Sequence, residues 1–235
     1  MVKRHLKRLI APKGWPIKRK EHKWIIRPNP GPHALSKSVP LNLVIKNMLK
    51  YAKTTREVKL ILNQRKVLIN KVARTDQKFP VGIMDIVEIP EINEHYRMVY
   101  NKQGKFILIR IDDEEARFKP VKIINKKTLK GKKTQLNLND GTNMIVDKDV
   151  YKVNDTIIMD LTKESKERIK KHLKFEKGAK VYLTDGKHIG KTGYIEEIQN
   201  LFQNQMVTFK SYKETYQTSK EYTLVIDDSI SVGEK

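Results

Sequence analysis

Cysteine is missing from all 235 residues, which excludes disulfides, thiolate metal sites, iron–sulfur clusters and a cysteine nucleophile. Long hydrophobic runs are missing too. Stretches such as FILIRI and TIIMDL stop at six residues, against the roughly 20 apolar residues that a bilayer-spanning helix needs, so no membrane partner is expected. The N-terminus, MVKRHLKRLIAPKGW, has neither the apolar core nor the small-residue cleavage site of a secretion signal, so the chain is expected to be intracellular. Acidic side chains are in short supply: 27 stand against 49 Lys and Arg, for a formal net charge of +22. That imbalance argues against an ordinary metabolic enzyme and for a polyanionic partner.

The surplus charge is unevenly placed. Residues 1–40 carry eleven basic side chains and one acid, whereas residues 173–235 carry nine of each. The first forty residues also hold six of the nine prolines, three of the six histidines and both tryptophans, Trp15 and Trp24. Repeated Pro, as in PNPGPH, prevents a long helix and disfavours sheet pairing. The segment is therefore expected to be an arm without a core of its own, disordered alone and ordered on RNA. There Lys3, Arg4, Lys7, Arg8, Lys13, Lys18, Arg19, Lys20 and Arg27 would meet phosphates while Trp15 and Trp24 stack on bases. The competing reading docks both tryptophans on the protein's own modules.

From Pro40 the pattern becomes modular. Apolar residues at 41, 43, 44, 45, 48, 49 and 52 predict one helix, and Thr54-Thr55-Arg56-Glu57 reads as a capping box opening a second, EVKLILNQ. A strand VLIN, a polar turn at Arg74-Thr75-Asp76 and a strand GIMDIVEI complete a module over 41–90. Over 91–172 the signals are mostly short strands: RMVY, KFILIRI, VKII, TQLNL, NMIV and TIIMDL. The turns between them include Lys102-Gln103-Gly104 and Asn139-Asp140-Gly141, a pattern that suits a small antiparallel β domain. Residues 162–175 fit a short helix or a strand equally. KVYLTDG, GYIEEI, QMVTFK and YTLVI predict a last five-stranded barrel over 173–226, with 227–235 as a frayed tail. The run KKTLKGKK marks a Lys-rich turn.

Enzyme signatures fail on spacing. GKHIGKT lacks the first glycine of a phosphate-binding loop, because position 185 is Asp, and it leads into a strand rather than a helix. Asp112-Asp113-Glu114-Glu115 reads as a solvated helix start rather than a cation site. The histidines at 5, 22, 33, 95, 172 and 188 never fall at zinc-ligand spacing, and no GxSxG occurs. Asn154-Asp155-Thr156 is a formal glycosylation sequon without meaning in a chain that is not secreted. No cofactor, metal or small-molecule substrate is expected.

The stretch TREVKLILNQRKVLINKVARTDQKFPVGIMDIVEI resembles the alpha-L (S-four type) RNA-binding motif, with Met84-Asp85 where that motif usually has Gly-Asp. The resemblance implies RNA contacts from Arg56, Lys59, Arg65 and Lys66, with Arg74 on the turn that follows. GAKVYLTDGKHIGKTGYI is similar to a KOW motif, an SH3-like barrel element. Its loop glycines would be Gly186, Gly190 and Gly193, and its RNA contacts Lys187, His188 and Lys191. The order of these parts, together with HLKRLIAPKGW, RPNPGPHAL, RTDQKFPVGIMD and VNDTIIMDL, resembles the small-subunit ribosomal protein S-four-e family over about residues 1–226. The early end after the KOW stretch resembles its archaeal form. The implied fold is α+β and multi-modular: an extended basic arm, an alpha-L module, a central antiparallel β domain and a KOW barrel. The implied role is non-catalytic, a cytoplasmic structural component of the small subunit in translation. Small-subunit ribosomal RNA and neighbouring ribosomal proteins would be its partners. The rivals are an RNA-modifying enzyme with an alpha-L accessory, for which 91–172 is too short, and a KOW-type factor that cycles on and off RNA.

Overall fold

Thr54 and Glu57 set the start of the helix Thr55–Asn63. The Thr54 hydroxyl accepts the Glu57 N–H at 3.3 Å, and the Glu57 carboxylate accepts the N–H groups of Thr54 and Lys53 at 3.4 and 2.7 Å. These bonds satisfy donors that a helix start leaves unpaired. Val58 and Leu62 face inward and are fully buried, while Arg56 and Lys59 share the exposed side. The helix stops where Arg65 turns left-handed at φ 56°. The apolar run after Pro40 forms a shorter helical element than its periodicity predicts. One turn of α-helix at Leu41–Leu43 widens into a π-helix at Val44–Met48, closed by Leu49 N–H to Val44 O at 2.9 Å.

A computed structural model describes residues 5–147, 149–163, 168–200, 205–211 and 214–233. These divide into two compact units, one of residues up to 100 with 104–116, the other of 101–103 with the chain from 117 onward.

In the first unit a five-stranded antiparallel sheet has the order Val72–Ala73, Leu68–Ile69, Ile86–Ile89, Glu94–Tyr100, Phe106–Ile111. One sheet thus runs through position 90. Its first hairpin turns at Asn70 and Lys71, both at positive φ (52° and 64°), the twist that a two-residue turn between right-twisted strands requires. The strand expected over GIMDIVEI is broken. Pro80–Gly82 pairs with Ser38–Pro40, the chain turns through Met84 at φ 62°, and pairing resumes at Ile86. Asp85, 1% exposed, holds this break: its carboxylate accepts Gly82 N–H at 2.8 Å and Asn70 Nδ2 at 2.9 Å, and meets His33 Nε2 at 2.9 Å. Gly82 is required here, since a Cβ would lie 2.3 Å from the His33 ring.

The N-terminal segment does not float. Leu6–Lys7 pairs with Trp24–Ile25, and Trp15 is 2% exposed with its Nε1 donating to Ser38 O at 2.7 Å. Phe106 N–H reaches Gly14 O at 2.9 Å. Proline keeps long helices out of the described residues of this segment, as expected, yet two short strand pairs form, and other carbonyls are taken up by side chains. Arg19 donates to the carbonyls of Leu9, Ala11 and Pro12 at 3.3, 3.0 and 3.0 Å, and Arg8 to Lys18 O at 2.8 Å and Glu21 at 2.9 Å. The expectation of an arm disordered in isolation is therefore corrected in favour of its rival for Trp15, which docks on this protein's own fold.

The second unit contains two five-stranded antiparallel sheets. One has the order Asn143–Val146, Thr134–Leu138, Phe118–Thr128, Thr156–Asp160, Ile169–Leu173. Alternation puts Val121, Ile123, Leu136, Leu138, Met144, Ile157 and Met159 on its core side. The ambiguous stretch resolves as strand over Ile169–Leu173, while positions 164–167 lie outside the described residues. The other sheet runs Glu214–Ser219, Gln205–Ser211, Thr192–Asn200, Lys180–Leu183, Thr223–Val225, over a core of Val181, Leu183, Ile195, Val207, Phe209 and Val225. Between the two sheets Lys122, 6% exposed, directs its ammonium at the carbonyls of Lys220, Glu221 and Thr223, at 2.8, 3.0 and 2.8 Å. The Thr156 hydroxyl accepts Val225 N–H at 3.1 Å alongside. The sequon residues Asp155 and Thr156 are thus buried parts of the frame. The supposed frayed tail is packed as far as 232, with Ile230 and Val232 buried.

Candidate nucleic-acid interface

The structure sorts the sequence-derived basic residues by what their side chains already touch. Lys7, Lys13, Lys18, Lys20, Arg56, Lys59, Arg65 and Lys187 are exposed or half-exposed. Arg27 is half-buried, and Lys3 and Arg4 lie outside the described residues. Lys66, also half-buried, pairs with Glu91 at 3.1 Å, and Arg74 lies 4.5 Å from the Phe79 ring with its Nε buried. Arg8 and Arg19 are consumed by the carbonyls and carboxylate that fold the N-terminal segment. Trp15 is corrected most sharply. A ring that is 2% exposed and hydrogen-bonded through its only donor offers no face to a base.

Trp24 is the opposite case. It is 50% exposed and sits directly across the strand pair from Lys7, with His5 at 5.7 Å and the Lys23 ammonium 5.4 Å from its ring centroid. A half-exposed indole with the Lys23 ammonium near its ring and Lys7 across the strand pair is a stacking platform beside phosphate-binding groups. The strand register is what brings Lys7 and His5 to the ring, which the sequence alone does not show. On the helix Thr55–Asn63, Arg56 and Lys59 lie three residues apart on one face, with Arg65 just beyond its end.

The Asp185–Lys191 loop departs from expectation. Gly186 and Gly190 have positive φ (86° and 79°), and a Cβ on Gly193 would meet Lys210 O at 2.5 Å, so the glycines are needed where expected. Of the three cationic candidates only Lys187 projects. Lys191 donates to the Tyr216 hydroxyl at 2.7 Å, and His188 lies against the Tyr216 ring with centroids 4.2 Å apart. Burial and then the nearby Lys191 and Lys187 charges push the His188 imidazole below its ordinary pKa of 6.5, so it is neutral at pH 7.

Two lysines counted with the surplus charge are internal. Besides Lys122, Lys119 is 2% exposed and pairs with Asp140 at 3.0 Å. Burial opposes ionisation of Asp140, but the Lys119 charge and the hydrogen bonds from Thr142 and Lys119 outweigh it and hold the carboxyl below the usual carboxylate range. In the Asp112–Glu115 run, Glu115 pairs with the buried Arg97, and Asp113 lies 3.7 Å from His95. Among the described residues no group of three His, Asp or Glu side chains is placed to hold a metal ion. No described helix is long and apolar enough to cross a membrane.

Helix, hairpin and basic face define the first unit as carrying an RNA-binding module of the S4 type, and residues 39–87 match the S4 domain family model. Residues 2–36 match the RS4NT (NUC023) domain, and residues 92–166 the Ribosomal family S4e. The chain is 39% identical to the small ribosomal subunit protein eS4 of Methanosphaera stadtmanae over 95% of its own length and 92% of that protein. It is also 39% identical to the eS4 of Methanothermobacter thermautotrophicus, over 98% and 95%. The crystal structure of the 30S ribosomal protein S4e from Thermoplasma acidophilum superimposes with a TM-score of 0.71 at 32% identity, over 84% of this chain and 99% of that one. The chain belongs to the eS4 family of small ribosomal subunit proteins.

Proposed function

We propose that this protein is a structural constituent of the small ribosomal subunit, where it binds and stabilises small-subunit ribosomal RNA and takes no part in catalysis. The observation that carries the reading is the sorting of its charge. After internal partners have taken Arg8 and Arg19, the first unit still presents exposed cations on a folded frame, together with a half-exposed Trp24 ring. Lys7, Lys13, Lys18, Lys20, Arg56, Lys59 and Arg65 contact phosphate and 2′-hydroxyl groups and read RNA shape more than sequence. Arg27, Lys66 and Arg74 add to this surface, Lys3 and Arg4, outside the described residues, are further RNA contacts by their charge, and Trp24 stacks on an unpaired base. The last sheet is a KOW-type SH3-like barrel that meets RNA through Lys187. Neighbouring ribosomal proteins are further partners, and the site of action is the cytoplasmic ribosome of an archaeal-type cell. Support comes from family membership and from net charge. A filter-binding titration of the full chain against purified small- and large-subunit ribosomal RNA tests it. Tighter binding to the small-subunit RNA is expected, and equal binding to both would contradict the assignment.

A further inference from the structure

The Lys-rich turn KKTLKGKK lies outside the interface described above. It joins the strands Phe118–Thr128 and Thr134–Leu138. Lys127, Lys130 and Lys133 surround Gly131, which has φ 79°, and Lys127 and Lys133 are exposed. Lys126 is turned away: it pairs with Asp149 and donates to Tyr151 O at 2.5 Å. Lys133 has Asp147 at 4.0 Å, with both side chains largely in solvent.

The sheet face leading to this turn has an unusual composition. Leu136, Leu138 and Met144 point to the core, so their neighbours in sequence point away from it. The register sets Asn125 opposite Asn137, and Asn137 opposite Asn143, a row of three amides across three adjacent strands. One step along, Lys127, Gln135 and Ile145 form the next row. Gln135 Nε2 donates to Asn137 Oδ1 at 3.0 Å, and Asn125 Oδ1 accepts the Lys126 N–H at 2.8 Å, which fixes two of the amides in place. Ile145 and Ile124 are 58% and 56% exposed. Asn is disfavoured in strands, where Thr or Val would serve a solvated face better, so folding alone does not account for the row. The three strands and the 129–133 loop contain no Asp or Glu.

We propose that this face and the lysines at its end form a second RNA-binding surface, which takes the wide, shallow minor groove of an A-form helix. The inference rests on the RNA-binding reading above and extends it to the second unit. Strands about 4.8 Å apart make the amide row about 10 Å wide, flat enough for a shallow groove lined with 2′-hydroxyls. Amides both donate and accept, so they can meet 2′-hydroxyls and base edges. Ile145 offers an apolar contact for ribose, and Lys127, Lys130 and Lys133 meet the flanking phosphates. Strands without acids, bordered by Lys127, Lys130 and Lys133 against the nearby Asp147, leave a net positive face that matches this partner in charge.

Two full-chain variants test the proposal against purified small-subunit ribosomal RNA, each first checked for an unchanged thermal midpoint. Neutralising the turn (Lys127→Gln, Lys130→Gln, Lys133→Gln) should lower the slope of log K against log salt by about 2, at roughly 0.7–0.9 per phosphate contact. Removing the amides (Asn125→Ala, Asn137→Ala, Asn143→Ala) should weaken binding about three- to tenfold with the slope unchanged, and should erase any preference for an RNA duplex over a DNA duplex of the same sequence. If the amide variant does not fold, the lysine variant decides alone. Wild-type affinity and slope in folded variants would overturn the proposal. So would variants that keep RNA binding but no longer sediment with subunits, since the face would then dock a protein. A wild-type chain that fails to bind the RNA removes the functional reading and this proposal with it, whereas failure of the variants alone leaves that reading standing.

Discussion

Lys122→Met replaces a buried ammonium with an apolar chain of similar length and removes a donor from three backbone carbonyls, on Lys220, Glu221 and Thr223, of which Lys220 O keeps the Thr223 hydroxyl at 2.7 Å. A hydrogen bond from a charged group contributes about 1.5–3 kcal/mol. Desolvation of the ammonium offsets part of that sum, and each buried carbonyl left unsatisfied costs about 1–3 kcal/mol, so a net loss of about 4 kcal/mol is expected. With an m-value of about 2 kcal/mol/M in urea, the midpoint for this unit should fall by about 2 M. The chain itself supplies the assay. Both tryptophans, at 15 and 24, lie in the first unit, while six of the nine tyrosines lie in the second, so most of the tyrosine signal comes from there. Tyrosine emission and circular dichroism should therefore report the loss, while the tryptophan transition stays near its wild-type midpoint. A change below about 1 kcal/mol in the tyrosine transition would refute the role given to Lys122, because breaking three bonds to a buried charge cannot cost so little.

Trp15→Ala should destabilise the first unit by about 3–5 kcal/mol, as truncation of a buried aromatic does. Before mutation, the free protein should show blue-shifted tryptophan emission and protected amides ahead of Pro40. Neutralising Arg56, Lys59 and Arg65 should leave the thermal midpoint unchanged and flatten the salt dependence of RNA binding by roughly 0.7–0.9 for each phosphate no longer neutralised; an unchanged slope would reject that face. The His188 ring should titrate below 6.5 by NMR. Because its folded pKa is depressed, it supports stability above pH 6.5 and loses that support as the pH falls through the folded value, so His188→Phe should flatten stability between about pH 7 and 5.

What the sequence disclosed and what it concealed divide by range. The Thr54–Glu57 capping box, the alternation of TQLNL and the positive-φ glycines at 186 and 190 act within a few residues, and each was legible. The break at Met84 was not, since it is fixed by Asp85 reaching Asn70 and His33, 15 and 52 residues away. Burial of Trp15 depends on Ser38 O, and pairing of Glu94–Tyr100 with Ile86–Ile89 depends on register rather than alternation. For the candidate interface, net charge could not separate the exposed Lys59 from the buried Lys122. Composition counts charges and not the carbonyls that consume them.

A resident part of the small subunit, held by ribosomal RNA, survives a high-salt wash, and sedimentation of the tagged protein from cell extract through such a wash reads this out. The protein should co-migrate with small subunits and stay with them after washing. Release into the top fractions while subunits remain intact would refute residence and point to a factor that cycles on and off its RNA.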